Sequence, residues 1–212
     1  MSKSSFPNRI LRGVGPRWFV PNWSGQKSAL YLTFDDGPGP YTARLSTMLA
    51  SRGMTATFFL LATNLNGYET VVEQLESDGH TVALHGFSHI SAWMNRPQHV
   101  VDDIKKGFEC LSSLVKYPVC WYRPPFGRVT PWGIKAAGTL GMATILWDKN
   151  PRDYSRFSSA EEVQSSVSTW ATAGSVVLLH ENGKIWSNFD VQMNTLLDSL
   201  QHRSLQLKGL PR

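Results

Sequence analysis

The residues best suited to chemistry are two adjacent carboxylates, Asp35 and Asp36, which follow a short apolar run at residues 30–34. Such a run favours a buried strand, and the Gly37-Pro38 dipeptide that comes next ends it. In α/β proteins the carboxyl ends of the strands carry the functional groups. Two neighbouring negative charges favour protonation unless a cation compensates them. The pattern therefore predicts a metal site at the end of this strand.

Two histidines, His85 and His89, follow another apolar run, at residues 81–84. Their i, i+4 spacing would place both imidazoles on one face if the segment forms a helical turn. Two imidazoles and one carboxylate make a common catalytic zinc site, which leaves one position for water or substrate. We expect one divalent metal ion, zinc by default, although cobalt, nickel or iron suit the same ligands. The second acid would stay free to accept a proton from bound water.

The elements that position these residues alternate regularly along the chain. Apolar runs predict strands at residues 30–34, 56–61, 81–84, 120–123, 143–147, 176–179 and 205–207. Amphipathic patterns predict helices at 41–52, 67–78, 97–114, 131–140, 159–173 and 188–202. Strict alternation implies parallel strands joined by helical crossovers. We predict an α/β fold, a single-domain, distorted and incomplete (β/α)7 barrel over residues 29–212, with an irregular lead-in at 1–28 packed on it.

Length and composition indicate a single-domain protein without membrane spans. A chain of 212 residues with a formal net charge of +5 suits one domain, and its dispersed Lys and Arg predict no nucleic-acid partner. Its apolar runs are too short to span a bilayer, and its first residues lack the apolar core of a secretory signal, so we expect a cytoplasmic protein unless an export signal was removed. Cys110 and Cys120 are predicted to be core thiols. The oligomeric state is left open.

With three later segments, these residues resemble the NodB-homology polysaccharide deacetylases, carbohydrate esterase family four, over residues 30–207. Residues 33–38 match the family's first motif in full. The resemblance implies that Asp35 is the catalytic base and that Asp36 is the metal ligand. It also implies an incomplete barrel of the NodB-homology type.

The second motif of the family contains the two histidines. By the same resemblance, His85 and His89 would complete the metal site. Gly86 stands where the family usually has a hydroxyl residue, and Ile90 stands where it usually has proline. These positions normally shape the loop, so the departures concern its geometry and not the identity of the ligands.

Residues 123–127 resemble the third motif, with Phe126 in place of the commoner tyrosine. The resemblance implies that Arg123 orients the catalytic base. It also implies that the backbone N–H of Phe126 helps to bind the oxyanion, with Pro124 contributing to the same substrate-binding turn. An arginine beside an acidic pair is physically reasonable, because it keeps the base ionised.

The fourth and fifth motifs supply a histidine and its acidic partner. Residues 147–154 are similar to the fourth motif, in which Asp153 would orient the catalytic histidine, and Asn150 stands where an aspartate is common. In the fifth motif His180 would be the general acid, and Leu178 would line the pocket for the acetyl methyl group.

The resemblance implies a metal-dependent hydrolase that removes N-acetyl groups from an amino-sugar polysaccharide of the peptidoglycan, chitin or poly-N-acetylglucosamine type, releasing acetate. Its partner would be an acetylated glycan, and the family usually works outside the cytoplasm. An O-acetyl esterase of the xylan type would use the same residues. A glycoside hydrolase is disfavoured, because its two carboxyl groups must flank the scissile bond.

A non-catalytic glycan-binding homologue is the remaining alternative. Four tryptophans could stack on sugars: Trp93, Trp121, Trp132 and Trp186. Inactive homologues usually lose a metal ligand or the base, whereas all of the corresponding residues are present in this chain.

Overall fold

The computed structural model describes residues 19–20, 29–170, 172–182, 185–203 and 205–212. Its strands are β1 (Phe19–Val20), β2 (Ala29–Gly37), β3 (Thr57–Leu60), β4 (Thr81–Leu84), β5 (Trp121–Tyr122), β6 (Ala143–Ile145), β7 (Val176–His180) and β8 (Gln206–Leu207). Its helices are α1 (Thr42–Ala50), α2 (Glu69–Ser77), α3 (Pro97–Ser112), α4 (Pro131–Thr139), α5 (Ala160–Trp170) and α6 (Phe189–Gln201). Short 3₁₀ turns lie at Ala62–Asn64 and Pro125–Gly127.

The strands pair in parallel in the order β1-β6-β5-β4-β3-β2-β7, and β8 pairs with the start of β2. Parallel neighbours need long crossovers, which the helices provide. Within the described residues β1 and β7 end the order without pairing with each other, as an incomplete barrel requires. The predicted alternation of strands and helices is confirmed, with element ends that differ by only a few residues.

Successive residues of β2 belong to two separate apolar layers. The layer packed against the helices contains Leu30, Leu32 and Phe34. Tyr31 belongs to a smaller cluster that it forms with Phe59, Ala83 and Trp121 of the neighbouring strands. Because side chains alternate along a strand, Thr33 and Asp35 continue the series of Tyr31 toward the interior of the barrel. The sheet therefore delivers Asp35 to the carboxyl end of that interior.

Residues 209–211 cover the opposite, amino end of the strands. The N–H of Leu210 donates to Thr57 Oγ1 at 2.8 Å, and Thr81 Oγ1 donates to the carbonyl of Leu210 at 2.5 Å. The indole of Trp121 donates to the carbonyl of Pro211 at 2.7 Å. A Cβ on Gly209 would lie 2.7 Å from the carbonyl oxygen of Ala56, so only glycine fits this close approach.

Residues 1–28 were predicted to be an irregular lead-in, and the structure describes only Phe19–Val20 of this segment. These two residues form a short strand paired with β6, and the rest of the segment lies outside the described residues. Cys110 and Cys120 are free thiols, as predicted, but each is only half-buried and packs against the edge of an apolar cluster. Cys110 lies beside, and not on, the buried stripe of α3 that includes Leu111.

Among the described helices, none is long and apolar enough to cross a membrane.

Candidate active site

Three strands bring the predicted site residues to one edge of the sheet. Asp35 and Asp36 lie near the end of β2, His85 directly follows β4, and His180 ends β7. In the β2–β7 register Asp35 is opposite His180. The pairing of β2 with β3 shifts between Asp35 and Gly37, and Asp36 has a positive φ of 73°. This irregularity lets the two adjacent carboxylates approach a common centre.

Asp36, His85 and His89 form a cluster that could hold a metal ion. Their candidate ligand atoms all lie within 4.8 Å of one another. Asp36 Oδ1 is 3.4 Å from His85 Nε2 and 3.2 Å from His89 Nε2. This buried oxygen has no hydrogen-bond partner among the described residues. A cation would satisfy it, and these residues therefore fit the predicted metal site.

The second nitrogen of His85 supports this interpretation. His85 Nδ1 lies 2.8 Å from the carbonyl oxygen of Arg123, which can only accept, so Nδ1 carries the proton and Nε2 keeps its lone pair. Burial disfavours the charge of Asp36, but the neighbouring imidazoles of His85 and His89 hold its pKa well below its ordinary value. This lowering requires imidazoles that donate to Asp36, and a bound cation would favour the ionised carboxylate in the same way.

The segment between the two histidines does not form the helical turn that would place residues i and i+4 on one face. Residues 85–89 form an irregular loop, in which Gly86 has φ 98° and His89 has φ 55°. The imidazoles still converge, with ring centroids 5.2 Å apart. Backbone conformation, and not helical spacing, therefore aligns these two rings.

Asp35 is paired with Arg123 inside the barrel. Arg123 Nη1 donates at 2.7 Å both to Asp35 Oδ1 and to Thr33 Oγ1, and Nη2 donates to the carbonyl of Leu146 at 3.2 Å. The guanidinium also lies over the ring of Phe59 at 4.0 Å. Asp35 is 2% exposed and Arg123 is fully buried, so each charge depends on the other.

His180 is held by a buried acid, Asp153. Asp153 accepts from the backbone N–H of His180 at 2.5 Å and lies 2.8 Å from His180 Nδ1. Burial opposes protonation of His180, but the hydrogen bond and charge of Asp153, together with Asp35 and Asp36, raise its pKa to about 9. At neutral pH this imidazole is therefore a cation, 4.0 Å from Asp36 Oδ2.

A cavity of about 270 Å³ opens over these groups. Its lining residues are Asp35, Asp36, His85, His89, Phe126, Trp147, Asn150, Tyr154, Leu178 and His180. Pro124, predicted to contact substrate, is buried and is not among the described residues that line this cavity. Its carbonyl accepts from the N–H of Gly127 at 3.0 Å, so Pro124 instead shapes the turn that carries Phe126.

Asp103 is a site-supporting residue that sequence reasoning missed. This acid of α3 accepts from the N–H groups of Phe87 and Ser88 at 2.8 and 3.1 Å, and from the Ser88 hydroxyl at 2.6 Å. A Cβ at Gly86 would lie 2.9 Å from Asp103 Oδ2. Asp103 and Ser88 therefore support the loop beside Gly86. The sequence does offer one indication of this role: Asp103 is an acid that directly precedes Ile104 on the buried face of an amphipathic helix.

Glu181, the residue after His180, was also missed. It is 1% exposed and accepts from the hydroxyl of Thr42 at 2.5 Å, while that hydroxyl accepts from the N–H of Gly39 at 2.7 Å. A Cβ at Gly37 would lie 2.6 Å from Glu181 Oε1. Glu181 therefore supports the turn that follows the two acids. Burial raises its pKa to about 7, against the opposing hydrogen bond from Thr42.

Glu181 should make the stability of the metal-free protein depend on pH. Its folded pKa of about 7 exceeds the ordinary value of 4.5, so the folded state holds the proton more tightly. The resulting stabilisation is complete below pH 4.5 and is lost as the pH rises through 7. We expect Glu181→Gln, which resembles the protonated form, to remove up to about 3 kcal/mol of this decline.

Urea unfolding in the presence of a chelator, at pH 5 and pH 8, measures this effect. Glu161→Gln, at an exposed acid of α5, is the matched control. An equal fall in the free energy of unfolding for Glu181→Gln and for the control between these pH values would contradict the assignment.

Comparison with known proteins identifies the fold and the family of this chain. A family 4 carbohydrate esterase from Streptomyces lividans, solved in complex with acetate, superposes with a TM-score of 0.75 at 22% identity, covering 86% of this chain and 92% of that one. At this identity the likeness establishes the fold alone. It confirms the α/β barrel architecture, an incomplete barrel of the carbohydrate esterase class.

Sequence relatives define the family more closely. The polysaccharide deacetylase family matches residues 24–145. A peptidoglycan-N-acetylglucosamine deacetylase of Bacillus cereus is 30% identical, over 87% of this chain and 85% of the relative. A chitooligosaccharide deacetylase of Bradyrhizobium is 28% identical, over 89% and 91%. The chain belongs to the polysaccharide deacetylase family, as its NodB-homology motifs predicted.

Proposed function

We propose that this protein is a metal-dependent hydrolase that removes N-acetyl groups from an amino-sugar polysaccharide and releases acetate. The observation that carries the proposal is the cluster of Asp36, His85 and His89, flanked by an acid paired with Arg123 and by a histidine paired with Asp153. The named relatives, which deacetylate peptidoglycan and chitooligosaccharides, support the same chemistry.

Asp36, His85 and His89 would hold the ion, and zinc suits two imidazoles and one carboxylate. When bound, it would supply the positive charge that acidifies water and polarises a carbonyl. Asp35 is the proposed base that takes the proton of the attacking water. Arg123 fixes this base in position through the hydrogen bond to its Oδ1.

The developing oxyanion and the leaving nitrogen need two further groups. The backbone N–H of Phe126, on the rim of the cavity, is the proposed donor to the oxyanion. His180 is the proposed general acid, because an amine cannot leave without a proton. Its pKa of about 9 keeps that proton available at neutral pH, and Asp153 fixes its orientation. Leu178, on the cavity wall, would contact the acetyl methyl group.

Other functions fit the geometry less well. An O-acetyl esterase would use the same residues, but the strongly proton-retaining His180 favours the poorer amine leaving group. The adjacent acids of the site cannot flank a glycosidic bond as a glycoside hydrolase requires. For a purely sugar-binding role, Trp121 and Trp186 are buried and Trp132 is half-buried, which leaves Trp93 as the exposed member of that set.

Acetate release from a panel of glycans tests the proposal. We expect N-acetylated oligomers, but not acetylated xylan, to yield acetate. Activity should disappear on chelation and return with zinc. Asp36→Ala should lose both zinc binding and activity, whereas Asp102→Ala, at an exposed acid of α3, should retain them. Full zinc occupancy and activity in Asp36→Ala would refute the ligand assignment, and the absence of acetate from every N-acetylated glycan would refute the function.

A further inference from the structure

Two exposed aromatic rings lie beside the candidate metal centre. The ring of Phe126, 58% exposed, packs on His89 with 4.5 Å between ring centroids. The guanidinium of Arg128 lies 5.4 Å from the centre of this ring and 5.3 Å from that of Trp93, which is 68% exposed. A continuous surface therefore runs from the metal ligand His89 through Phe126 and Arg128 to Trp93. We call this surface the Trp93 rim.

The Trp93 rim is held in place by its own hydrogen bonds. Trp93 Nε1 donates to the carbonyl of Val129 at 3.1 Å, and Arg128 Nη1 donates to the hydroxyl of Ser91 at 2.7 Å. The rings of Phe126 and Trp93 are largely exposed to solvent, so packing in the core does not explain their positions. Fixed, exposed rings lose little conformational entropy when a flat apolar partner stacks on them.

Arg128 carries a positive charge that the protein does not neutralise. It forms no ion pair with any described residue, and the residues outside the described ranges include no Asp or Glu. Its guanidinium lies near two rings and donates to the hydroxyl of Ser91, and these contacts restrict its position. Such a planar fork binds a carboxylate better than it binds a neutral hydroxyl.

We propose that the Trp93 rim binds the sugar next to the one being deacetylated, and that Arg128 selects a neighbour that bears a carboxylate group. The apolar face of a pyranose ring would stack on Trp93, and its carboxylate would pair with Arg128. This inference rests on the proposed deacetylase function and narrows its substrate to an acidic, N-acetylated glycan. The net charge of +5 favours the same class of substrate.

The test compares two N-acetylated oligosaccharides of equal length, measured by acetate release. One is chitotetraose in its fully N-acetylated form, which is neutral. The other alternates N-acetylglucosamine with its lactyl ether, N-acetylmuramic acid, which carries a carboxylate. Arg128→Gln should raise KM for the acidic oligosaccharide about tenfold and leave KM for chitotetraose within about twofold. Trp93→Ala should raise KM for both about fivefold, with the effect falling on KM and not on kcat.

Two matched variants control for charge and for aromatic surface. Lys135→Gln removes one exposed positive charge from α4, and Trp170→Ala removes a half-exposed tryptophan at the end of α5, where the chain returns to the amino edge of the sheet. Added salt should raise KM for the acidic oligosaccharide alone.

An effect of Arg128→Gln equal to that of Lys135→Gln, or equal for both oligosaccharides, would overturn the selection for a carboxylate. An effect of Trp93→Ala no larger than that of Trp170→Ala would overturn the subsite. These outcomes require an active wild-type enzyme, so they are distinct from failure of the proposed function, in which the wild type releases no acetate.

Discussion

Replacement of His180 by alanine should lower kcat for deacetylation by about 10² to 10⁴ while zinc binding persists. The reason is geometric: His180 faces the cavity, is held by Asp153 through Nδ1, and lies outside the cluster of Asp36, His85 and His89. Single-turnover acetate release measures the loss, and competition with a chromophoric chelator measures zinc affinity. His202→Ala, at an exposed histidine beyond α6, should match the wild type.

The same experiment has a second arm. Asp153→Asn should move the alkaline limb of the kcat profile to lower pH, because the hydrogen bond and charge of Asp153, together with the charges of Asp35 and Asp36, raise the pKa of His180 to about 9 against the effect of burial. Loss of zinc in His180→Ala would instead make His180 a ligand and overturn its role as general acid. An unchanged pH profile in Asp153→Asn would contradict the proposed pairing.

Replacement of Arg123 by leucine should destabilise the protein by about 3–5 kcal/mol, because it leaves the buried carboxylate of Asp35 without its cation. Urea unfolding of the metal-free protein measures the change. The matched control is Arg44→Leu, which removes an exposed ion pair with Asp190. The N–O distance of that pair, 2.8 Å, is close to the 2.7 Å between Arg123 and Asp35. This control should cost less than about 1 kcal/mol.

A second substitution separates loss of charge from loss of packing. Asp35→Asn, combined with Arg123→Leu, should recover part of the lost stability, because the amide needs no countercharge. Equal stability of the single and double variants would show that the stacking of Arg123 on Phe59, and not the ion pair, accounts for the effect.

The sequence could predict the elements and the residues of the candidate metal cluster because both depend on local patterns. Apolar periodicity locates β2 and β4, and polar residues at strand ends converge in any parallel barrel. What a pattern cannot give is backbone conformation. Residues 85–89 form an irregular loop because Gly86 and His89 adopt positive φ angles, which the i, i+4 spacing of the histidines does not reveal.

The supporting groups were harder to predict, since they act over long separations. Asp103 lies on the next helix and accepts hydrogen bonds from the backbone of the loop between His85 and His89, which no spacing rule encodes. Glu181 follows the histidine of the fifth motif and supports a turn more than a hundred residues earlier, with a sequence separation of 139 residues to Thr42. Only the assembled barrel brings such partners together.

Residues 209–211, which cover the amino end of the strands, affect how the chain folds. The bond between Leu210 and Thr57 spans 153 positions, and that between Thr81 and Leu210 spans 129. A nascent polypeptide emerging from the ribosome would therefore expose the apolar interior of its early strands until residues 209–211 have been synthesised. Long-range closure of this kind slows folding and prolongs the period in which unfinished chains can aggregate.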